Sequence, residues 1–287
     1  MSQLLFKRKP DWLKVRFPSG EGYNRIRNLV NKFNLNTICQ EAKCPNTAEC
    51  WNKGTATILI LGDTCTRNCS YCSVKTGIPK KHDLDEPKKV ANLVKKLGLN
   101  FAVITSVTRD DLNDYGASIF AETIREIKKL NCKVEVLTPD FNGSESSIKN
   151  VLEALPDVFA HNMEVTEKLF PKIRPQGNYN LSLKFLKKIK ELNTKMLTKS
   201  GIMVGLGETK NDIIKTMHDL RKVNCNIFTI GQYLQPTKSN HPVMKFYTPK
   251  EFSELKKYGE SIGFDFVHSA PLVRSSYHAE QCFLKDN

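Results

Sequence analysis

The sequence predicts an α/β fold in which six strand-plus-helix units form an open, partial (β/α)6 barrel with capping extensions at both ends. Three observations predict it. From about residue 56, short β-branched apolar runs alternate with amphipathic stretches of helical period, the pattern of repeated βα units and a parallel sheet. Six such units are too few for the usual eight-unit closed barrel. The rhythm is absent before residue 55 and after about residue 270, where the two extensions lie.

The strands are read, in order, from ATILIL (56–61), FAVIT (101–105), KVEVL (133–137), DVFAH (157–161), GIMVG (201–205) and NIFTIGQYL (226–234). Helices follow at 86–97, 116–130, 145–154, 180–193, 209–222 and 248–262. Pro87 stands close to a first-turn position, and Thr248-Pro249 followed by Glu251 has the form of a capped start. A last apolar run, FDFVH at 264–268, offers a further strand. The expected divisions are an N-terminal extension (1–54), a barrel (55–270) and a C-terminal tail (271–287), with no internal sequence repeat or low-complexity segment. If the barrel reading holds, the reactive site lies at the C-terminal ends of the strands.

A chain of 287 residues, 40% of them hydrophobic, can bury a substantial core. It contains no apolar run of the about 18 residues a membrane span needs, and MSQLLFKRKPDW has no secretory-signal pattern, so a cytoplasmic protein is expected. Nine cysteines in such a chain point to metal binding or catalysis rather than disulfides. Six of them fall between residues 39 and 72; Cys132, Cys225 and Cys282 stand singly and read as buried or incidental thiols. The net charge of +14 implies an acidic partner without saying whether nucleic acid, membrane or protein, although many lysines lie on helical stretches where a solvated face explains them equally well.

Cys65-Thr-Arg-Asn-Cys69-Ser-Tyr-Cys72 is a C-x3-C-x2-C triplet directly after the first strand and the turn-like Gly62-Asp63. Three thiolates on one loop can hold three irons of a cubane cluster and leave the fourth without a protein ligand. A structural zinc site would need a fourth ligand, usually from a second Cys or His pair, and no matching pair follows at a suitable distance. Upstream, Cys39, Cys44 and Cys50 form a second triplet, C-x4-C-x5-C, which alone also suits an incomplete metal site or a redox group.

The Cys65 triplet and its position after the first strand resemble those of the radical-SAM superfamily. Beside it, the upstream triplet resembles the auxiliary-cluster motif of lipoyl synthases. The match extends through GDTCTRNCSYC, ITSVTRDDL, EVLTPDF, HNMEV, KSGIMVGLGE, TIGQYLQPT and RSSYHA, from about Cys39 to Ala279. The resemblance implies a partial (β/α)6 TIM-like barrel of the radical-SAM type with two 4Fe-4S clusters and S-adenosyl-L-methionine (SAM) as cofactors. Cys65, Cys69 and Cys72 would hold the catalytic cluster, whose open iron binds the amino and carboxylate groups of SAM and yields a 5′-deoxyadenosyl radical. Cys39, Cys44 and Cys50 would hold the auxiliary cluster with a serine of Arg274-Ser275-Ser276-Tyr277; Ser276 is the favoured ligand and Ser275 the competitor. A serine alkoxide is a harder, more labile partner for iron than a thiolate, which suits a cluster that is dismantled. By themselves, two adjacent serines read more simply as a helix cap or turn.

Weaker expectations concern the cofactor pocket. Thr105 and Ser106 follow a strand and are expected to help hold SAM, whereas Arg109, Asp110 and Asp111 can instead form a local salt-bridged turn. Asn162 and Glu164 of HNMEV are expected at the ribose or methionyl part, in a segment that reads EVT where the family commonly has ETV. Tyr71 stands where the family often has Phe and can pack beside adenine. His161 reads as a packed histidine. Gly205 and Gly207 form no phosphate-binding fingerprint and are read as allowing close approach to the cofactor.

The implied reaction is insertion of two sulfurs, at C6 and C8 of an octanoyl group on a lysine of a lipoyl carrier protein, with the auxiliary cluster as sulfur donor. The implied partners are acidic octanoylated carrier domains, a low-potential electron donor and iron–sulfur repair proteins, with neither nucleic acid nor membrane. The rival enzymatic reading is another sulfur-inserting radical-SAM enzyme, a biotin synthase or a tRNA methylthiolating enzyme; the rival outside catalysis is a cluster-stabilised nucleic-acid-binding protein.

Overall fold

The computed structural model describes residues 8–15 and 17–286, with the side chains of 283–286 left aside. The first seven residues of the N-terminal extension lie outside the described residues. Seven parallel strands run in sequence order across one sheet: β1 (Thr57–Ile60), β2 (Phe101–Ser106), β3 (Lys133–Leu137), β4 (Val158–Ala160), β5 (Leu197–Val204), β6 (Ile227–Gln232) and β7 (Phe266–Ser269). Among the described residues β1 and β7 do not pair, so the barrel is open. On its free edge β1 takes an antiparallel two-residue strand from the extension, Asn36–Thr37.

The interleaved helices are α1 (Glu86–Leu97), α2 (Ala117–Lys128), α3 (Glu145–Glu153), α4 (Tyr179–Leu192), α5 (Lys210–Lys222) and α6 (Pro249–Ser261). Each buries one apolar stripe against the sheet, such as Val90, Leu93 and Val94 of α1, spaced three and four residues apart. Their starts follow the local chemistry. Pro87 sits in the first turn of α1, and Thr248 and Glu251 form a reciprocal capping box at α6.

One expected extra strand is present, and one strand boundary differs by a full four residues from the sequence reading. FDFVH does form a strand, pairing Phe266 through Ser269 with Ile227 through Ile230. β5 begins at Leu197, four residues before the expected GIMVG, because Thr198, Lys199 and Ser200 lack the apolar signature of a strand although all three are buried. Lys199 is satisfied by Glu135 of β3, with Nζ 2.8 Å from both carboxylate oxygens. Among the described residues no helix is long and apolar enough to cross a membrane.

The described parts of the N-terminal extension and of the C-terminal tail meet over the mouth of the barrel. The extension contributes a helix, Glu21–Lys32, and two short helical turns, Ile38–Glu41 and Thr47–Asn52, that carry Cys39 and Cys50. Tyr23 stacks on the fully buried Trp51 at 5.0 Å between ring centroids. Asn46 Nδ2 donates to the Leu272 carbonyl at 2.7 Å, and Tyr277 Oη donates to Glu49 at 3.0 Å, so the extension and the tail are tied to each other.

Candidate active site

A cavity of about 540 Å³ opens at the C-terminal ends of the strands. Its wall includes Leu59, Thr105, Leu137, Met203 and Gly231 of the barrel, Cys65, Cys69 and Cys72 of the loop after β1, Cys39 and Cys44 of the extension, and Arg274, Ser275 and Ser276 of the tail. A smaller adjoining cavity is lined by Cys39, Cys44 and Cys50 together with Ser276. Residues more than two hundred positions apart thereby share one site.

The chain leaves β1 through two consecutive left-handed residues, Leu61 (φ 68°) and Gly62 (φ 94°), before reaching Cys65. Its loop then closes on itself, with Gly77 N–H donating to the Cys65 carbonyl at 3.0 Å. Backbone N–H groups of Arg67 and Thr108 donate to Cys65 Sγ, and that of Val74 donates to Cys72 Sγ, each at 3.4 Å. Such bonds stabilise negative charge on sulfur.

Burial is the leading influence at Cys39, Cys50, Cys69 and Cys72. It pushes Cys72 up to about 12 against the opposing Val74 N–H. Burial, then the neighbouring Cys44, raises Cys39 to about 11 and Cys50 to about 12. Cys69 is raised by burial as well. Thiols raised in this way keep their protons at neutral pH, and a soft cation binding there would have to displace them. Among the described residues no three His, Cys, Asp or Glu side chains converge closely enough for one metal ion. A four-iron cluster is a larger body than one ion and takes thiolates spread around it, so the donor set fits a cluster better than a zinc ion.

Three polar atoms of the main cavity wall, Ser106 Oγ, Thr138 Oγ1 and Asn162 Oδ1, have no protein partner. Buried polar groups are normally paired, so this wall suits a polar ligand such as SAM. Thr105 differs from its neighbour: its hydroxyl donates to the Leu137 carbonyl at 2.9 Å. Asn162 Nδ2 donates to Glu164 and to Ser275 Oγ, both at 3.0 Å. Glu164 stands on a left-handed backbone (φ 66°), and burial raises its carboxyl against the opposing Arg174. Tyr71 lines the same cavity, with its phenol pushed well up by burial.

Ser275 and Ser276 are separated by their surroundings. Ser275 lines only the main cavity and accepts from Asn162, whereas Ser276 lines both cavities and reaches the wall shared by the three upstream cysteines. His161 is a packed residue: its Nδ1 is 2.9 Å from the Thr138 carbonyl and its Nε2 2.9 Å from Ser182 Oγ. The carbonyl can only accept, so Nδ1 carries the proton and Nε2 accepts from Ser182. Burial and then Arg174 lower its pKa to about 4. Cys132 and Cys225 are buried away from the cavity, as expected, and Cys282 is half-buried in the tail. Gly205 and Gly207 do not line the cavity; a Cβ on Gly205 would fall 2.4 Å from the Lys245 carbonyl oxygen, so its close neighbour is the protein's own backbone.

Two residues escaped the sequence reading. Arg174 Nη1 donates to the carbonyls of Asn162 and Met163 at 3.0 Å and so fixes the turn after β4. Asn240 Nδ2 donates to the carbonyls of Ser70 and Cys72, at 3.2 and 2.8 Å, from the loop after β6. Neither belongs to a motif whose spacing announces it; only the fold brings Arg174 to the turn after β4 and Asn240 to the cysteine loop.

Comparison with known proteins identifies the family. Residues 59–220 match the model of the radical SAM superfamily, and residues 3–44 match that of the N-terminal domain of lipoyl synthase. The chain is 54% identical to a lipoyl synthase of Rubrobacter xylanophilus over 95% of this chain and 86% of that protein. It is likewise 54% identical to a lipoyl synthase of Caldicellulosiruptor bescii over 96% of this chain and 95% of that protein. The fold resembles that of methylornithine synthase, with a TM-score of 0.54, 14% identity and coverage of 89% of this chain and 84% of the other. It also resembles the FeFe-hydrogenase maturase of Carboxydothermus hydrogenoformans, with a TM-score of 0.53, 12% identity and coverage of 92% and 78%. At such identities these two likenesses speak to the fold alone, whereas the curated relatives, matched over almost their whole length, show that this chain belongs to the lipoyl synthase family of radical-SAM enzymes.

Proposed function

We propose that the chain inserts two sulfur atoms at C6 and C8 of an octanoyl group carried on a lysine of a lipoyl carrier protein, with each cysteine triplet holding one 4Fe-4S cluster. The observation that carries this reading is the convergence of both triplets and Ser276 on adjoining cavities at the barrel mouth. When bound, the clusters and SAM supply the low-potential electron, the hydrogen-abstracting radical and the sulfur.

The chain's own residues hold and orient. Cys65, Cys69 and Cys72 bind the catalytic cluster, and backbone N–H groups stabilise the charge on two of those sulfurs. Ser106, Asn162 and Glu164 present polar atoms to SAM, Thr105 lies beside them as part of the wall, and Tyr71 packs its ring against the cofactor. Cys39, Cys44, Cys50 and Ser276 bind the auxiliary cluster. Apolar walls, including Leu59, Leu137 and Met203, take the alkyl chain and exclude water from it.

A carrier protein must bring its octanoyl-lysine to this mouth, where Lys9 and Lys43 stand on the wall. Their charge favours an acidic carrier, an association that weakens as salt rises. An electron donor and a supplier of fresh auxiliary cluster complete the partner set, because each turnover takes electrons for SAM cleavage and sulfur from the cluster. The direct test is an anaerobic reaction of the reconstituted protein with SAM, dithionite and an octanoyl-lysyl peptide. Mass spectrometry finds first one and then two sulfurs on the peptide if the reading holds; 5′-deoxyadenosine with an unmodified peptide overturns the substrate, and no cleavage overturns the chemistry.

A further inference from the structure

The start of the cysteine loop is held by two residues, Glu86 and Arg109, that do not line the main cavity. Leu61, the last residue before Gly62, has a left-handed backbone that a side-chain-bearing residue rarely adopts. It is gripped from two sides. The buried Glu86, at the start of α1, accepts the Leu61 N–H at 2.7 Å, and the buried Arg109, in the loop after β2, donates from Nη1 to the Leu61 carbonyl at 3.2 Å. The Leu61 side chain fills the space a Cβ on Gly116 would occupy, 2.3 Å from Leu61 Cδ1.

The residues beside Arg109 continue the grip past Cys65. Asp111 accepts from Nε and Nη2 along one edge of the Arg109 guanidinium, both at 2.8 Å, and fixes its direction. Thr66 N–H donates to the Thr108 carbonyl at 3.0 Å, and Asp110 accepts from Arg67 Nε at 2.8 Å. The segment expected either to hold SAM or to form a salt-bridged turn thus forms the turn and uses it on the cysteine loop.

We propose that Glu86 and Arg109 are positioning residues of the catalytic cluster: by holding left-handed Leu61 from opposite sides, they fix where β1 releases the chain and so where Cys65 stands before any iron arrives. This inference rests on the assignment of Cys65, Cys69 and Cys72 to that cluster. A loop ordered in advance binds without first losing conformational freedom. A small displacement of the cluster against SAM lowers the rate of cleavage without removing a ligand.

The test compares Glu86→Ala, Glu86→Gln and Arg109→Lys with the parent chain. In the metal-free protein, hydrogen–deuterium exchange is followed in the segment 64–67, which Glu86 does not touch. In the reconstituted protein, the paramagnetic-resonance signal of the reduced cluster is recorded with and without SAM, beside 5′-deoxyadenosine formation. Glu86→Ala and Arg109→Lys, whose ammonium cannot reproduce the fork, are expected to speed exchange at 64–67 at least about tenfold. They are also expected to diminish the SAM-induced spectral change and to slow cleavage about 10- to 100-fold. Glu86→Gln, which keeps a carbonyl acceptor for Leu61, is expected to restore most of both.

Unchanged exchange and an unchanged spectral response in Glu86→Ala and Arg109→Lys would overturn the proposal. Should Glu86→Ala fail to fold, Glu86→Gln and Arg109→Lys decide by the same readings. A Cys65→Ala chain that keeps the SAM-induced spectral change would overturn the cluster assignment instead, independently of the clamp.

Discussion

The Arg67 guanidinium meets the Asp140 carboxylate edge to edge, with Nη1–Oδ2 and Nη2–Oδ1 both at 2.7 Å. Arg67 lies inside the cysteine triplet and Asp140 lies after β3, so the pair ties the cysteine loop to the end of a strand two places along the sheet from β1. Burial alone would raise the Asp140 carboxyl, but the Arg67 hydrogen bonds and the charges of His161 and Arg67 hold it at about 2.

Removing one member of this pair leaves the other buried and short of partners. Asp140→Ala is expected to cost about 3 kcal/mol, measured as a fall in the urea midpoint, because breaking a buried ion pair strands a charge. Asp110 also contacts Arg67 but is over a third exposed, so Asp110→Ala is expected to cost about 1 kcal/mol or less. Equal effects of the two changes would contradict the burial argument.

Glu86 gives stability an unusual dependence on pH. Burial raises its carboxyl from 4.5 to about 7, with the Leu61 and Gly62 N–H groups opposing; nearby Asp83 adds to the rise and Lys89 opposes it. The folded chain therefore keeps this proton between about pH 4.5 and 7 while the unfolded chain has lost it, and stability falls as pH rises through that window. Glutamine does not titrate. Plotted against pH, the stability of the parent minus that of Glu86→Gln is expected to fall by about 3 kcal/mol between pH 4.5 and 8, from the size of the shift. A flat difference would mean that Glu86 ionises normally in the folded chain.

How far the sequence reveals this site depends on where each signal lies. The existence of the seven parallel strands and of the helices between them is legible from apolar period, and both triplets from spacing, because each is a local pattern. The first half of β5 is not, since the partner that makes Lys199 buriable is Glu135, sixty-four residues earlier. Arg174 and Asn240 are hidden for the same reason: their partners are backbone carbonyls, which leave no mark in a sequence. Arg109, Asp110 and Asp111 are visible as a charged turn, but what the turn grips becomes apparent only when β1 and β2 lie side by side.

The Lys199–Glu135 pair makes its own test of buried charge. Lys199 and Glu135 are almost wholly inaccessible, and the described structure gives the lysine both carboxylate oxygens. Glu135→Ala is expected to destabilise by about 3–5 kcal/mol, whereas the double change Glu135→Leu with Lys199→Met is expected to return to within about 1 kcal/mol of the parent. A double variant as unstable as the single would show that the pair contributes more than its desolvation costs.

Ser275 and Ser276 are expected to separate by what each variant loses. Ser275→Ala removes one acceptor from Asn162 and is expected to weaken SAM use about fivefold, the worth of one ordinary hydrogen bond. Ser276→Ala is expected to lower sulfur insertion about 10- to 100-fold while 5′-deoxyadenosine still forms. Paired measurement of peptide sulfur and 5′-deoxyadenosine decides it, and the reverse pattern would move the ligand assignment to Ser275.

Gly231 holds the tail in place by having no side chain. It lies on β6, and a Cβ built there would stand 1.9 Å from the carbonyl oxygen of Val273, the residue before Arg274-Ser275-Ser276. Backbone cannot retreat as the end of a flexible side chain can, so Gly231→Ala must displace the tail or bend β6. β6 is buried, with Met203 of β5 opposite Gly231 and β7 paired alongside up to Ile230, whereas the tail is held here by single hydrogen bonds such as Gln232 N–H to the Pro271 carbonyl; the tail is the part expected to move. Its movement carries Ser276 away from the upstream cysteines while leaving Cys65, Cys69 and Cys72 untouched. Gly231→Ala is therefore expected to keep SAM cleavage within about tenfold of the parent and to lower sulfur insertion by a further factor of about ten or more, the loss of an oriented group. Equal loss of cleavage and insertion would mean that β6 had yielded instead, placing the more deformable element in the barrel rather than the tail.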